Sequence, residues 1–314
     1  MDFPTLGLGT MMLHENCDLN EILRYALEDL GYRHLDCAKV YQNQKLIGEA
    51  LKFVFSRGIV KRKDVWITSK LWNHMHDPEN VERACRNTLE ELQLDYLDLY
   101  LIHHAVSTKY SGDENLFPQD ENGRPFVTHV PICETWKAME KLVEKKLTRH
   151  IGVSNFTISM LEKIRYNNEV RIQPFTNQVE FHIYMQQQPL YNYMKERGII
   201  LTGFSPLGSL GSRNPGDKEK EPVLLDDPVL NEIAKETNET PATVAIRFLQ
   251  QIAPDASIII KSSRKERLKE NIEIATKGFS LTDDQIAKLR GCERFFRYFR
   301  LQDELGLDVL GDGW

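Results

Sequence analysis

Eight short apolar runs, each followed by a stretch of helical character, constrain this chain more than any other feature. They lie at Leu6–Gly9, Tyr32–Asp36, Val65–Ser69, Leu97–Ile102, His150–Val153, Thr176–Val179, Ile199–Phe204 and Ile258–Ile260. Runs such as Leu97-Asp98-Leu99-Tyr100-Leu101-Ile102 and Ser257-Ile258-Ile259-Ile260 have the near-continuous apolar character of strands covered on both faces. Alternation of strand and helix implies a parallel α/β sheet. Eight strands, each followed by helical sequence, point to a closed (β/α)8 TIM barrel rather than an open sheet. A doubly wound sheet usually announces a phosphate-binding glycine fingerprint, and Gly7-Leu8-Gly9-Thr10-Met11-Met12 lacks its third glycine.

Helix punctuation agrees with that reading. Asp18 followed by Glu21 forms a capping pair for a helix that should stop at Gly31. Asp77-Pro78, Thr240-Pro241 and Thr282 open further helices, and Gly58 and Gly198 end two others. Three segments break the rhythm. They are His104 to Pro131, Leu207 to Pro222, and a tail after Arg290 carrying Phe295-Phe296-Arg297-Tyr298-Phe299. Loops this long inside a compact unit are usually functional or disordered, and these lie where they could wall one pocket. Aromatic packing against the barrel is the expectation for the tail. Without internal repeats or a linker, residues 1–314 are expected to form one domain.

Composition excludes several function classes. A formal net charge of −6 disfavours a general nucleic-acid or anionic-membrane binder. No apolar run approaches the roughly 18–20 residues that span a bilayer. Cys17, Cys37, Cys85, Cys133 and Cys292 are widely spaced with no Cys-x-x-Cys pair, so neither a disulfide framework nor a zinc site is expected. A reduced, cytoplasmic setting fits, and the start Met1-Asp2-Phe3-Pro4-Thr5 lacks the basic and apolar regions of a secretory signal.

In a barrel of this kind, side chains just beyond the carboxyl ends of the strands converge on one mouth. Asp36 closes the second strand, Tyr41 sits in the following loop, Lys70 follows the third strand and His103 the fourth. Reduction of a carbonyl needs a hydride on carbon and a proton on oxygen. A tyrosine, ordinarily near pKa ~10, becomes a better acid beside a lysine cation, which favours its anion. A carboxylate would keep that lysine charged, and a histidine would orient the carbonyl. Singly, each residue has a plainer role: a loop brace, a pocket wall, a solvated lysine, a core histidine. The set is more specific than its members.

The segments Gly31-Tyr32-Arg33-His34-Leu35-Asp36-Cys37-Ala38-Lys39-Val40-Tyr41, Ile67-Thr68-Ser69-Lys70-Leu71-Trp72 and Leu97 to His103 closely resemble signatures of the aldo-keto reductase family. So do Gly152-Val153-Ser154-Asn155-Phe156, Asn177-Gln178-Val179-Glu180, Ser205-Pro206-Leu207-Gly208, and Lys261-Ser262 to Glu270-Asn271. The match runs in order from about Leu6 to Leu289 and is similar to aldose, aldehyde and xylose reductases. The resemblance implies a metal-free reductase of aldehydes, sugars or ketones, taking hydride from a nicotinamide cofactor with Asp36, Tyr41, Lys70 and His103 as its tetrad. It implies cofactor contacts from Thr10, Ser154, Asn155, Gln178, Phe204, Ser205, Leu207 and Ser209, with the nicotinamide carboxamide held by Ser154, Asn155 and Gln178. As a plainer alternative, Asn155 would start the next helix.

The same resemblance places an adenosine 2′-phosphate on Lys261, Ser262 and Arg267, with Glu270 and Asn271 at the adenine. A lysine, a hydroxyl and a guanidinium at a helix start suit a dianionic phosphate. NADPH is therefore expected over NADH, which remains a weaker alternative, and Arg264 replaces a smaller residue common in relatives. Met11, Trp72 and His104 are the expected substrate wall.

Phe204 stands where most relatives carry a tyrosine, so stacking on the nicotinamide should persist. Met11 and Met12 replace an aromatic-basic pair and His104 a tryptophan, which points to a roomier or more polar pocket. Near Gly211 no acidic partner is present to latch over the cofactor, which suggests faster cofactor release. The expected partner is a small carbonyl compound, with no nucleic acid, no membrane, and a monomeric chain. Two other readings stay open: a cofactor-binding regulatory subunit, and a Schiff-base aldolase using Lys70.

Overall fold

The computed structural model describes residues 2–13, 17–208, 221–276 and 278–299, with backbone only at 275 and 276. Ten strands occur among the described residues: β1 Leu6–Gly9, β2 His34–Asp36, β3 Trp66–Leu71, β4 Leu97–Ile102, β5 Ser107–Thr108, β6 Val127–Thr128, β7 Thr148–Ser154, β8 Thr176–Glu180, β9 Ile200–Phe204 and β10 Ser257–Ile260. Eight of them close a parallel barrel in the order β1-β10-β9-β8-β7-β4-β3-β2. Closure is made by β1, which pairs Leu6 with Ile258 of β10 and Gly9 with Asp36 of β2. The expected (β/α)8 barrel is therefore the fold.

The helices are α1 Leu19–Arg24, α2 Gln44–Ser56, α3 Pro78–Leu92, α4 Ile132–Glu144, α5 Ile158–Arg165, α6 Gln188–Lys195, α7 Pro228–Thr237, α8 Pro241–Ile252, α9 Lys265–Thr276 and α10 Asp283–Arg290. No helix among the described residues is long and apolar enough to cross a membrane. Asp18 caps α1 by accepting from the Glu21 N–H at 3.2 Å, and Thr240 and Thr282 cap α8 and α10 in the same way. After α1 the chain widens into one looser turn, with the Leu30 N–H reaching the Tyr25 carbonyl at 3.0 Å, before Gly31 turns it at φ +77°. Asp77 precedes Pro78 as expected but makes no side-chain cap.

Several strand bounds shift by one or two residues from the sequence reading; those of β2 and β3, and the content of the segment after β4, bear on the site. β2 begins at His34 rather than Tyr32, whose hydroxyl is drawn to the Leu268 carbonyl at 2.9 Å. β3 runs on to Leu71, so Lys70 lies within the strand, opposite Leu101 of β4, and does not follow it. The His104–Pro131 segment contains the antiparallel pair β5–β6, which ties Ser107 to Thr128. Two-residue strands carry no alternation that a sequence could display.

The interior follows the two-residue period of a strand. His34 and Asp36 share a face of β2, as do Trp66, Thr68 and Lys70 on β3, and Leu99 and Leu101 on β4 leading to His103. Trp66, Leu99 and Leu101, with Phe3 and Phe175, form a small inner cluster. The opposite faces join the helices in the larger outer core, where Ile67, Tyr100 and Ile102 lie. Gly152 of β7 is inside because nothing larger fits. A Cβ there would sit 2.7 Å from the Thr176 carbonyl oxygen and 2.8 Å from Leu101 Cδ2.

Candidate active site

Asp36, Lys70 and His103 arrive at the barrel mouth from β2, β3 and the residue after β4, while a short turn at Lys39–Tyr41 delivers Tyr41. Lys70 is the hub. Its fully buried Nζ donates to Asp36 Oδ2 at 2.7 Å, to the Cys37 carbonyl at 2.9 Å and to Tyr41 Oη at 3.3 Å. The other carboxylate oxygen, Asp36 Oδ1, accepts from Gln178 Nε2 at 2.8 Å, across 142 residues of sequence. An ammonium buried this deeply persists only when paired and hydrogen-bonded, which these three acceptors provide. The Cys37 carbonyl is a member of this arrangement that sequence inspection missed, since backbone acceptors leave no trace in side-chain patterns.

Burial alone would lower the Lys70 pKa, but the Asp36 carboxylate, with Tyr41, raises it above the ordinary lysine value. The cation is therefore permanent near neutrality. Tyr41 corrects an expectation. Burial raises its pKa, and the attraction of Lys70 offsets that only in part. Before reaction the phenol is a firmly protonated acid, not a partly ionised one. Lys70 stabilises negative charge on its oxygen at the moment the proton leaves.

His103 is held well below the usual histidine value by burial, then by His104 and Lys70, so it is a neutral imidazole. Its ring lies edge-on to Tyr41 at 6.2 Å and to Trp72 at 5.0 Å, and stacks on His104 at 4.6 Å with an interplanar angle of 8°. Its Nδ1 is buried without a hydrogen-bond partner among the described residues. Burial, with His76 and Lys70, lowers His104 to about 3. The three expected substrate-wall residues all border the mouth. Met11 follows β1 half-buried, Trp72 is fixed by its Nε1 donating to the Leu116 carbonyl at 2.7 Å, and His104 is buried. Phe117, from the long segment after β4, adds a ring edge-on to Trp72 at 5.6 Å. The mouth thus regains an aromatic wall that His104 does not supply.

Ser154, Asn155, Gln178, Phe204, Ser205 and Leu207 lie in or just after β7, β8 and β9, on the other side of the ring from β2 and β3. Ser154 ends β7 and donates to the Gln178 carbonyl at 2.8 Å, while Asn155, at φ +63°, donates to the His103 carbonyl and to Ser154 Oγ, both at 3.1 Å. Asn155 does not start the next helix; Thr157 caps α5. With their N–H groups turned inward, the amide oxygens of Asn155 and Gln178 accept nothing from the described residues. Two free amide oxygens suit a ligand carboxamide that must donate. Phe204 ends β9, and the turn from Ser205 (φ +52°) through half-buried Leu207 to Gly208 (φ +71°) follows it. Thr10 is spoken for: its hydroxyl donates to the Asp36 carbonyl at 2.9 Å and its own carbonyl accepts from Asn43. Ser209 and Gly211 lie outside the described residues.

Beyond β10, Lys261, Arg264 and Arg267 are exposed around the start of α9, and Ser262 Oγ accepts from the Arg264 N–H at 3.0 Å. Lys265 is already paired with Glu21 at 2.5 Å. Glu270 accepts from Thr240 at 2.6 Å and Asn271 is buried beside it in sequence. Three exposed cations and a helix start form a fitting seat for a phosphate dianion. No cluster of metal-ligating side chains occurs among the described residues.

The model of the aldo/keto reductase family matches residues 5–294. The chain belongs to the aldo/keto reductase family. It is similar to aldo-keto reductase family 1 member C18 of Rattus norvegicus, 42% identical over 94% of this chain and 90% of that protein. Dihydrodiol dehydrogenase 3 of Bos taurus is 41% identical over 95% of this chain and 90% of its own length. Among solved structures, the aldose reductase from Schistosoma japonicum superposes with a TM-score of 0.86 at 37% identity, covering 100% of this chain and 96% of that one. This aldo-keto reductase is accordingly an NADP-dependent oxidoreductase of carbonyl compounds.

Proposed function

We propose that this aldo-keto reductase reduces small aldehydes, sugars or ketones to alcohols, with NADPH preferred over NADH and Tyr41 as the proton donor. One observation carries the reading: the buried Lys70 Nζ, 2.7 Å from Asp36 and 3.3 Å from Tyr41 Oη. When bound, the reduced nicotinamide supplies hydride to the carbonyl carbon. The protein's part is to hold the carbonyl oxygen between Tyr41 and neutral His103, give it the Tyr41 proton, and stabilise the phenolate with Lys70. Asp36 keeps the lysine charged and in place. Ser154, Asn155 and Gln178 receive the carboxamide, Phe204 offers a ring for stacking, and Lys261, Ser262 and Arg267 receive the 2′-phosphate that distinguishes NADPH. A chain acting alone, as one domain, suffices for all of these roles. A permanently charged Lys70 is a poor Schiff-base nucleophile, which leaves the aldolase reading without support.

The test is Tyr41→Phe. Turnover of NADPH against a panel of aliphatic, aromatic, sugar and keto substrates should fall about 10²–10⁴-fold. Binding of NADPH, followed by its fluorescence, should be nearly intact. Normal turnover in that variant would remove Tyr41 from the mechanism.

A further inference from the structure

The buried carboxylate of Glu180 has no part in the chemistry above. It ends β8 at 1% exposure, two residues beyond Gln178 on the same face of the strand. Its Oε1 accepts from His182 Nε2 at 2.9 Å and from the Tyr298 N–H at 2.8 Å, and its Oε2 accepts from the Phe299 N–H at 3.4 Å. Two consecutive backbone donors of the carboxyl-terminal tail thus end on one buried acid. A neutral anchor would serve a merely packed tail. A carboxylate here is costly to bury and is kept in place by these donors.

The tail is stitched on before it reaches Glu180. The N–H groups of Arg294 and Phe296 donate to the Tyr184 carbonyl, Glu293 accepts from the Gln186 N–H, and Arg294 reaches the buried Asp227 at 3.1 Å. Tyr298 then donates to the Pro222 carbonyl at 2.6 Å and lies so close over Gly208 that a Cβ there would stand 2.8 Å from its ring. The last described contact is the telling one. Phe299 meets Phe204 edge-on, with centroids 5.2 Å apart and planes at 84°.

We infer that Glu180 is a positioning residue for the cofactor: it fixes Tyr298 and Phe299 so that Phe299 braces Phe204, the ring on which the nicotinamide stacks. This rests on the stacking role proposed above for Phe204. The bracing has a particular reason in this chain. Phe204 carries no hydroxyl that could hydrogen-bond to fix its plane, so its orientation depends on neighbouring rings. The tail supplies one.

Cofactor affinity measured by NADPH fluorescence, beside the unfolding midpoint, tests the inference. Phe299→Ala should weaken NADPH binding about 3- to 10-fold, the range of one edge-to-face ring contact, with KM for the carbonyl changing less. Glu180→Gln should weaken it by at least as much, since an amide N–H2 would then face backbone donors. The two changes should not add in the double variant, and Phe299→Ala should do nothing further in a Phe204→Ala background. Unchanged NADPH affinity in a folded Phe299→Ala variant overturns the inference, as do fully additive effects. Phe299→Ala keeps the inference testable even if Glu180→Gln fails to fold. Failure of the unaltered protein to bind NADPH would instead sink the stacking role itself, so the two failures are distinguishable.

Discussion

The two ends of the barrel are furnished with similar rings and put them to opposite uses. At the amino end, Phe3 meets Trp66 and Phe175 edge-on at 5.0 and 5.3 Å, and His150 stacks on Trp66 at 5.3 Å. His34 completes that plug with one hydrogen bond to Thr68. At the carboxyl end, Tyr41, Trp72, His103 and His104 are equally close, but they surround a buried ammonium. Asn73 Nδ2, His74 Nδ1, both ring nitrogens of His76 and His103 Nδ1 stay buried there without partners among the described residues. Unsatisfied polar atoms and buried charge destabilise a fold. Their concentration at the mouth, against one such atom, His34 Nδ1, in the plug, separates the end that reacts from the end that holds the barrel together.

Lys70→Met should break the contrast most severely. It removes the cation that supports the Tyr41 anion and leaves Asp36 a buried, unpaired charge. Turnover should drop on the order of 10³-fold, and stability should fall by about 3–5 kcal/mol. Activity assays together with chemical denaturation would show both losses.

Trp66→Ala at the other end should cost a similar 3–5 kcal/mol through the cavity it leaves. Its kcat per folded molecule should stay within about twofold of the parent, because the plug touches no reacting group. A large kcat loss there would dissolve the distinction between the ends.

Acid should sharpen it. Burial lowers the His34 pKa to about 4 at the plug, and burial with His74 lowers that of His76 to about 3 near the mouth. Both are neutral when folded, while the unfolded chain takes up protons below about 6.5. Their contribution is thus fully present above about pH 6.5 and drains away as pH falls toward the folded values. Each should cost on the order of 2 kcal/mol between pH 7 and 5. His34→Gln should remove its share of that slope in denaturation at several pH values. Over the same range kcat/KM should show no histidine limb, since His103 stays neutral and Tyr41 protonated. A limb near pH 6.5 would contradict the neutral assignment of His103.

The smallest effect is expected from Phe204→Tyr. It restores a hydroxyl while keeping the ring, so NADPH affinity should shift by less than about threefold. Titration of NADPH fluorescence would detect anything larger.

Much of this site was legible because strands alternate. Asp36, Tyr41, Lys70 and His103 could all be placed at or just beyond strand ends from the apolar runs, and the family signatures then marked the same four as a set. Lys70 was set just after its strand because β3 extends through Lys70-Leu71, where the apolar run has already ended. The direction of the Tyr41 pKa was misjudged for a different reason. The attraction of a lysine can be anticipated from its presence, whereas the burial that outweighs it depends on everything packed around the ring. Glu180 stood in plain view within Asn177-Gln178-Val179-Glu180. Its partners, Tyr298 and Phe299, lie more than a hundred residues away in a tail whose register no local pattern sets.

The hydrogen bond from Gln178 to Asp36 carries one more consequence, for how the protein is made. Asp36, Tyr41, Lys70 and His103 all emerge from the ribosome early, but Asp36 Oδ1 waits for a donor 142 residues later, and β1 waits for β10 to close the ring. A nascent chain that ends before β8 contains the whole tetrad in its sequence and yet no organised site. Competence should therefore switch on late in synthesis and all at once, with the slow folding that long-range parallel pairing imposes.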